Sequence, residues 1–179
     1  MKIAQQLKEK NIAEYLIYMW QVEDLLRANG CDIDRVRQHI ISRYPEEEHA
    51  ALVEWYENLI GMMRAEGVME KGHLQINQNV IQNLTELHAA LLASTKYPFY
   101  NAAYFKALPF MVELRQKSGQ GEEPELETCF EALYGVLLLR LQKKEISQGT
   151  AKAMEAISSL LSLLANYYDK EGRGELELD

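Results

Sequence analysis

Apolar residues recur every three or four positions along most of this chain, and nowhere do they alternate with polar residues for long enough to require a β-strand. Glycine and proline interrupt the pattern at short intervals, as at Gly30, Pro45 and Gly67. Because the connections are short, neighbouring helices are expected to run antiparallel. The sequence therefore predicts an all-α fold, an up-and-down helical bundle of six or seven helices.

The predicted helices account for nearly all of the chain. The first is the longest, about 40 Å at 1.5 Å per residue, and Gly30 follows it as a left-handed terminating residue. Asp32 and Ser147 are good N-caps for later helices, and Pro109 predicts a kink or break near residues 107–108. The predicted bounds are residues 3–28, 33–44, 45–66, 74–95, 99–117, 124–143 and 148–169.

A single domain is expected over residues 1–170, because 179 residues with 47% apolar side chains suffice to close one core. The stretch SGQGEEP at residues 118–124 is predicted to be a linker between two helices. Residues 171–179 are polar and rich in glycine, so they are expected to form a disordered C-terminal tail.

Composition narrows the classes of function. A formal charge of −8 and a pI near 5.1 disfavour nucleic acid and membranes as partners, because both require clustered Lys and Arg. Cys31 and Cys129 lack metal-ligand spacing, so two buried thiols are expected rather than a disulfide or a zinc site. No apolar run approaches a membrane span, and the N-terminus does not resemble a secretory signal. We therefore expect a cytoplasmic protein.

Glu23 is the anomalous polar residue of the first helix. At about 100° per residue, Glu14, Gln21 and Asp24 share one side of the helix, whereas Glu23 lies about opposite, among apolar residues. A partly buried ion pair with Arg27, one turn further on, is the simplest explanation. The alternative is a functional carboxylate that lines a pocket.

His88 also shares a helix face with apolar residues, so it is expected to point inward. A hydrogen bond to a neighbouring helix is its expected role, and an acid–base pair with Glu23 is the less favoured alternative. Glu46 and His49 have the spacing of di-iron ligands but lie in an acidic helix start, which favours a solvated turn. The chain carries no phosphate-binding glycine loop and no hydrolase motif. We expect no metal, no cofactor and no catalytic residue.

Two segments fit binding better than catalysis. YPFYNAAYFKALPF, residues 97–110, places aromatic side chains on all sides of one helix. Such a helix is expected to be central in its bundle, and the alternative is a face shared with a partner. Tyr100 and Tyr104 would line any cavity that Pro109 opens there. The amide-rich stretch QINQNVIQN, residues 75–83, fits a protein contact or interhelical hydrogen bonds.

The opening segment IAQQLKEKNIAEYLIYMWQVEDLLRANGCDID, residues 3–34, carries the order Glu-Tyr-x-x-Tyr-Met-Trp-Gln-x-Glu-Asp. It resembles the N-terminal part of an uncharacterised bacterial family, domain of unknown function family 4924. The resemblance implies an all-helical cytosolic protein. It brings no catalytic motif, substrate or cofactor that can be assigned to residues of this chain.

Two functions fit these observations. The first is a non-catalytic interaction or regulatory helical-bundle protein, a homo-oligomer or the ligand of another protein, because enzyme signatures are absent from the sequence while aromatic and amide surface remains. The second is a small-molecule-binding or enzymatic bundle. Its ligand-binding residues would be Glu23, Arg27, His88, Tyr100 and Tyr104.

Overall fold

The computed structural model describes residues 2–118 and 124–178. Helices form most of this part of the chain, and no strand occurs among these residues. The all-α class is therefore confirmed, with eight α-helices in the described ranges instead of six or seven. They are α1 (Lys2–Lys10), α2 (Ile12–Ala28), α3 (Ile33–His39), α4 (His49–Ala65), α5 (Gln75–Ala93), α6 (Pro98–Ser118), α7 (Glu125–Leu141) and α8 (Gln148–Gly172). Two 3₁₀ turns occupy Ile41–Arg43 and Glu46–Glu48.

The predicted long N-terminal helix is divided at Asn11 into α1 and α2. The Oδ1 atom of Asn11 accepts a hydrogen bond from the backbone N–H of Ala13 at 3.0 Å, which is the geometry of an N-cap. The asparagine therefore ends one helix and starts the next without any glycine or proline. The prediction of one unbroken first helix is wrong for this reason.

The region after α2 forms shorter helices than predicted. Asp32 caps α3 as expected, because its Oδ1 accepts from the backbone N–H of Asp34 at 2.8 Å. A 3₁₀ turn then replaces the second half of the predicted helix before Pro45. The acidic run Glu46–Glu48 forms a second 3₁₀ turn, so α4 begins at His49 rather than at the proline.

The remaining helices begin and end within three residues of their predicted bounds. Ser147 caps α8 as expected, since its side chain accepts from the backbone N–H of Thr150 at 3.1 Å. α6 is continuous through Pro109, so the helix does not break near residues 107–108. The central residues of the predicted linker, 119–123, lie outside the described part of the chain.

The chain packs as two compact units. Met1–Lys10 and Glu14–Val80 form the first unit, and Asn11–Ala13 and Ile81–Asp179 form the second. The largest fully buried side chains of the first unit include Leu16, Trp20, Tyr56 and Met63, and those of the second include Tyr100 and Phe130. A single domain over residues 1–170 stays a prediction.

The C-terminal segment begins later than predicted, because α8 continues to Gly172. The hydroxyl of Tyr97 donates a hydrogen bond to the backbone carbonyl of Glu177 at 2.6 Å. The disorder of residues 171–179 stays a prediction. None of the helices in the described ranges combines the length and the apolar character that crossing a membrane requires.

Replacement of the cap at Asp32 tests what starts α3. Asp32→Ala removes the acceptor for the backbone N–H groups of Asp34 and Arg35. We expect the free energy of unfolding, measured by urea denaturation, to fall by about 1 kcal/mol. Gln38→Ala, on the exposed side of the same helix, should change it by less than about 0.5 kcal/mol. Equal losses in the two variants would contradict the capping role.

Candidate functional site

Glu23 is only 1% exposed, so its carboxylate lies in the core of the first unit as the helix pattern predicts. Three donors contact it. The backbone N–H of Leu74 and the Nδ2 atom of Asn77 donate to Oε1 at 2.9 and 2.6 Å, and Nδ1 of His73 lies 2.6 Å from Oε2. A buried carboxylate is tolerated when its oxygens accept such hydrogen bonds. Glu23 is therefore a hydrogen-bonded anchor for the segment that starts α5.

The imidazole of His73 is fixed from two directions. Its ring stacks on the indole of Trp20 with a centroid distance of 4.1 Å and an interplanar angle of 13°. Because an ionised carboxylate can only accept, the Nδ1 atom that faces Glu23 carries a proton. Trp20 and Glu23 lie three residues apart on α2 and so present a stacking surface and an acceptor to the same ring.

Arg27 does not pair with Glu23, and the predicted Glu23–Arg27 ion pair is wrong. Its Nη1 atom donates to Oδ1 of Asp24 at 2.9 Å. Its Nε and Nη2 atoms donate to the backbone carbonyl of Val68 at 3.3 and 3.0 Å, and Nη2 also contacts the carbonyl of Gly72. The guanidinium therefore satisfies carbonyls in the loop between α4 and α5, where a simple i, i+4 argument could not place it.

The N-terminus of α5 is held by two carboxylates from outside the helix. Glu23 accepts from the N–H of Leu74, and Oε2 of Glu66 accepts from the N–H of Gln75 at 2.7 Å. The first N–H groups of a helix have no partner within the helix, and the helix dipole favours negative charge there. Arg27 donates to backbone carbonyls of the segment between Val68 and Gln75, and the two carboxylates accept from its backbone N–H groups. The segment is therefore bound by side chains through both kinds of backbone polar group.

The hydrogen bonds to Glu23 are made within the first unit. Both oxygens of Glu23 are engaged, and the donors belong to the first unit itself. Asn77 is fully buried, with an amide oxygen that has no hydrogen-bond partner, so its Nδ2 contact with Glu23 fixes the orientation of its amide. The amide-rich stretch at residues 75–83 thus supplies an intramolecular hydrogen bond, one of the two roles predicted for it.

His88 points inward in the second unit, as predicted, and is 6% exposed. Its Nδ1 atom lies 2.5 Å from the hydroxyl of Tyr100, which is fully buried. Burial raises the pKa of Tyr100, so the phenol stays protonated and donates to Nδ1. The proton of the neutral imidazole therefore lies on Nε2, which is buried and 3.8 Å from Oε2 of Glu125.

Tyr104 completes this cluster. Its ring packs edge-on against His88 at a centroid distance of 5.2 Å, and its hydroxyl donates to Oε2 of Glu125 at 3.1 Å. Burial, and then the adjacent Glu125, raise the pKa of Tyr104. The structure thus brings together the predicted residues His88, Tyr100 and Tyr104 and adds Glu125. Burial lowers the pKa of His88, and Glu125 opposes that shift.

The other residues considered for chemistry are buried or contact the backbone near them in sequence. Cys31 and Cys129 are buried free thiols, as predicted, and burial raises the pKa of Cys129 to about 12. The Nε2 atom of His49 lies 2.8 Å from the backbone carbonyl of Tyr44. Within residues 2–118 and 124–178, no three His, Cys, Asp or Glu side chains are arranged to hold a metal ion.

The exposed side of α6 carries apolar residues. Ala102, Phe105, Pro109 and Val112 lie on one face of the helix, and we call them the α6 stripe. Phe105 is 64% exposed and Val112 is 46% exposed. The opposite side of the helix is buried through Tyr100, Ala107 and Met111. The expectation that α6 is central in its bundle is therefore wrong, because one of its faces is exposed.

These features define an all-α protein whose core contains a hydrogen-bonded carboxylate and whose sixth helix has an exposed apolar face. Residues 1–175 match the family described as Domain of unknown function (DUF4924), and the chain belongs to that family. The resemblance seen in the opening segment is thereby confirmed. Comparisons with curated proteins and with solved structures gave no match.

His73 is the residue of the Glu23 cluster that sequence reasoning missed. It lies 50 positions from Glu23, and no helical periodicity relates the two. Glu125, in the first turn of α7, was missed for the same reason. A carboxylate in the core requires more hydrogen-bond donors than Arg27 alone provides. The sequence therefore indicated that a further partner exists but did not identify it.

Replacement of the buried carboxylate tests its anchoring role. Glu23→Gln keeps the shape of the side chain but places an amide N–H₂ against groups that are themselves donors. We expect the free energy of unfolding in urea to fall by about 2–4 kcal/mol. Glu70→Gln, at an exposed position near the same loop, should change it by less than about 0.5 kcal/mol. A Glu23 variant as stable as this control would refute the anchor.

The buried histidine predicts a pH dependence. Because the pKa of His88 is lower in the folded chain than its ordinary value, the unfolded chain binds the proton at higher pH. Stability should therefore fall as the pH decreases through 6.5, and this contribution should level off once folded His88 also binds a proton. One group contributes at most about 1.4 kcal/mol per pH unit.

The measurement is urea denaturation between pH 7.5 and 5.0 at constant ionic strength. His88→Leu should show a smaller loss of stability on acidification than the unmodified chain. The control is His39→Gln, at an exposed histidine whose Nδ1 atom lies 2.8 Å from Oδ1 of Asn29. Its pH profile should run parallel to that of the unmodified chain. Parallel pH profiles for the unmodified chain and His88→Leu would exclude the proposed proton linkage.

Proposed function

We propose that this chain is a non-catalytic interaction protein of the bacterial cytoplasm that binds a protein partner through the α6 stripe. The observation that supports this proposal is the exposure of Phe105 and Val112, which lie with Ala102 and Pro109 on one helix face. Isolated exposed apolar side chains are common on soluble proteins, whereas a contiguous apolar patch is typical of an interaction site. The spacing of the stripe fits a helix that packs against another helix.

The polar groups of the chain support the same conclusion. A small-molecule or enzymatic site around Glu23, Arg27 and His88 is the alternative function. Apart from the contact of Arg27 with Asp24, Glu23 and Arg27 form their hydrogen bonds with residues 68–77. His88 is buried against Tyr100. Side chains engaged in this way are poorly placed to take part in substrate chemistry.

Charge further restricts the kind of partner. The formal net charge of −8 opposes binding to the phosphates of nucleic acids or to anionic lipid surfaces. A helical protein surface with a complementary apolar stripe has no such requirement. The proposed partner is therefore a protein.

Site-specific crosslinking tests this function. Phe105→p-benzoylphenylalanine places a photoreactive side chain on the α6 stripe, and irradiation of cells that make the chain natively should give discrete protein adducts. Adding Val112→Asp to the same chain should abolish these adducts, because it places a charge within the apolar contact.

The matched control is Glu155→p-benzoylphenylalanine, at an exposed polar position of α8. It should give none of the adducts seen at position 105. If position 105 gave no adduct, or the same adducts as position 155, the α6 stripe would not be a binding surface.

A further inference from the structure

We infer that the partner of the α6 stripe is a second copy of this chain, packed antiparallel against it around a two-fold axis. This inference rests on the proposed function, since it names the partner of the same surface. It is carried by the position of the charges beside the stripe.

The apolar positions of the stripe have the spacing of a helix–helix seam. Ala102, Phe105, Pro109 and Val112 are separated by three, four and three residues. This alternation keeps the side chains on one line along a helix that packs against another, as in the a and d positions of a coiled coil. The stripe thus fits a second helix better than it fits an irregular peptide.

Two opposite charges border one edge of the stripe. Lys106 and Glu113 are exposed and lie seven residues apart, so they are on the same side of α6 at a separation of about 10 Å along its axis. Their midpoint falls between Pro109 and Phe110, in the C-terminal half of the stripe, so a contact centred there places Ala102 at its edge. A two-fold axis at this midpoint places Lys106 of each copy opposite Glu113 of the other.

The register distinguishes antiparallel from parallel packing. In the antiparallel pair, positions of the same edge meet, which gives two identical Lys106–Glu113 contacts. In a parallel pair, seam geometry would bring Lys106 near Asn101 of the second copy and Glu113 near Leu108. The parallel arrangement therefore forms no ion pair, and charge complementarity selects the antiparallel one.

Both charges are free to rearrange. Glu113 forms an intrahelical ion pair with Lys117 at 2.6 Å, and both side chains are more than half exposed. Lys106 forms no ion pair with any residue of the described ranges. Two copies that each carry −8 repel each other at a distance. A lysine that faces a carboxylate of the other copy offsets part of this repulsion where the surfaces meet.

Sedimentation velocity over a dilution series tests the pairing with the intact chain. The unmodified chain should sediment as a dimer at high concentration and dissociate on dilution. Lys106→Glu places two carboxylates opposite each other at both contacts, and Glu113→Lys places two ammonium groups there. Each variant should raise the dissociation constant roughly tenfold or more.

Mixing the two variants gives the decisive result. A mixed dimer of Lys106→Glu with Glu113→Lys restores an opposite-charge pair at both contacts, so dimer should reappear in the mixture at concentrations where each variant alone is monomeric. A merely structural effect of either substitution would not produce this rescue. The control variants Lys152→Glu and Glu155→Lys make the same charge changes on exposed positions of α8 and should dimerise normally.

The outcomes separate this inference from the proposed function. A chain that remains monomeric at high concentration, or a dimer that neither charge variant weakens, overturns the inference. If the chain is monomeric but position 105 crosslinks to other proteins, the proposed function stands and only the second copy is excluded. A monomer without crosslinks at position 105 overturns both.

Discussion

The carboxylate of Glu23 is the group on which the interior of the first unit depends. A charge that is 1% exposed would cost several kcal/mol without partners, so the chain must bring donors to it. It does so with an imidazole, a backbone N–H and a side-chain amide from residues 73–77. These donors start α5, so satisfying one buried charge also fixes where that helix begins. Arg27 donates hydrogen bonds to the backbone carbonyl of Val68 in the preceding loop. Two side chains of α2, a hydrogen-bond donor and an acceptor, therefore fix this loop and the start of α5.

The second unit also contains a buried polar cluster, which consists of His88, Tyr100 and Tyr104 with the half-buried Glu125 beside them. His88 receives a hydrogen bond from Tyr100, and Tyr104 packs against the same ring while it binds Glu125. Tyr100 and Tyr104 lie one turn apart on α6, so the polar contacts occupy one side of that helix. The other side of α6 takes no part in these polar contacts and carries the α6 stripe. A helix that is apolar in sequence on all sides thus divides into a buried aromatic face and an exposed one.

Periodicity and N-caps were sufficient to predict the helices of the second half of the chain, because Ser147 and the prolines start them locally. The first half was predicted less well. The cap at Asn11 divides a helix that lacks glycine and proline, and the acidic run before His49 forms a 3₁₀ turn. The inward direction of Glu23 followed from the helix pattern, but its partner His73 did not. Local spacing favours Arg27, whereas the actual donors depend on tertiary packing that no single helix encodes.

A buried polar residue such as Glu23 and an exposed apolar surface such as the α6 stripe differ in what they indicate about function. A buried ionisable group is a candidate for chemistry only while its hydrogen-bonding capacity is open to a substrate. Both oxygens of Glu23 have internal donors, so its unusual position is explained by the fold. The exposure of Phe105 and Val112 has no corresponding explanation. It leaves apolar surface in contact with water, which is unfavourable, and it contributes nothing to the core. A partner that covered the α6 stripe would remove this unfavourable exposure.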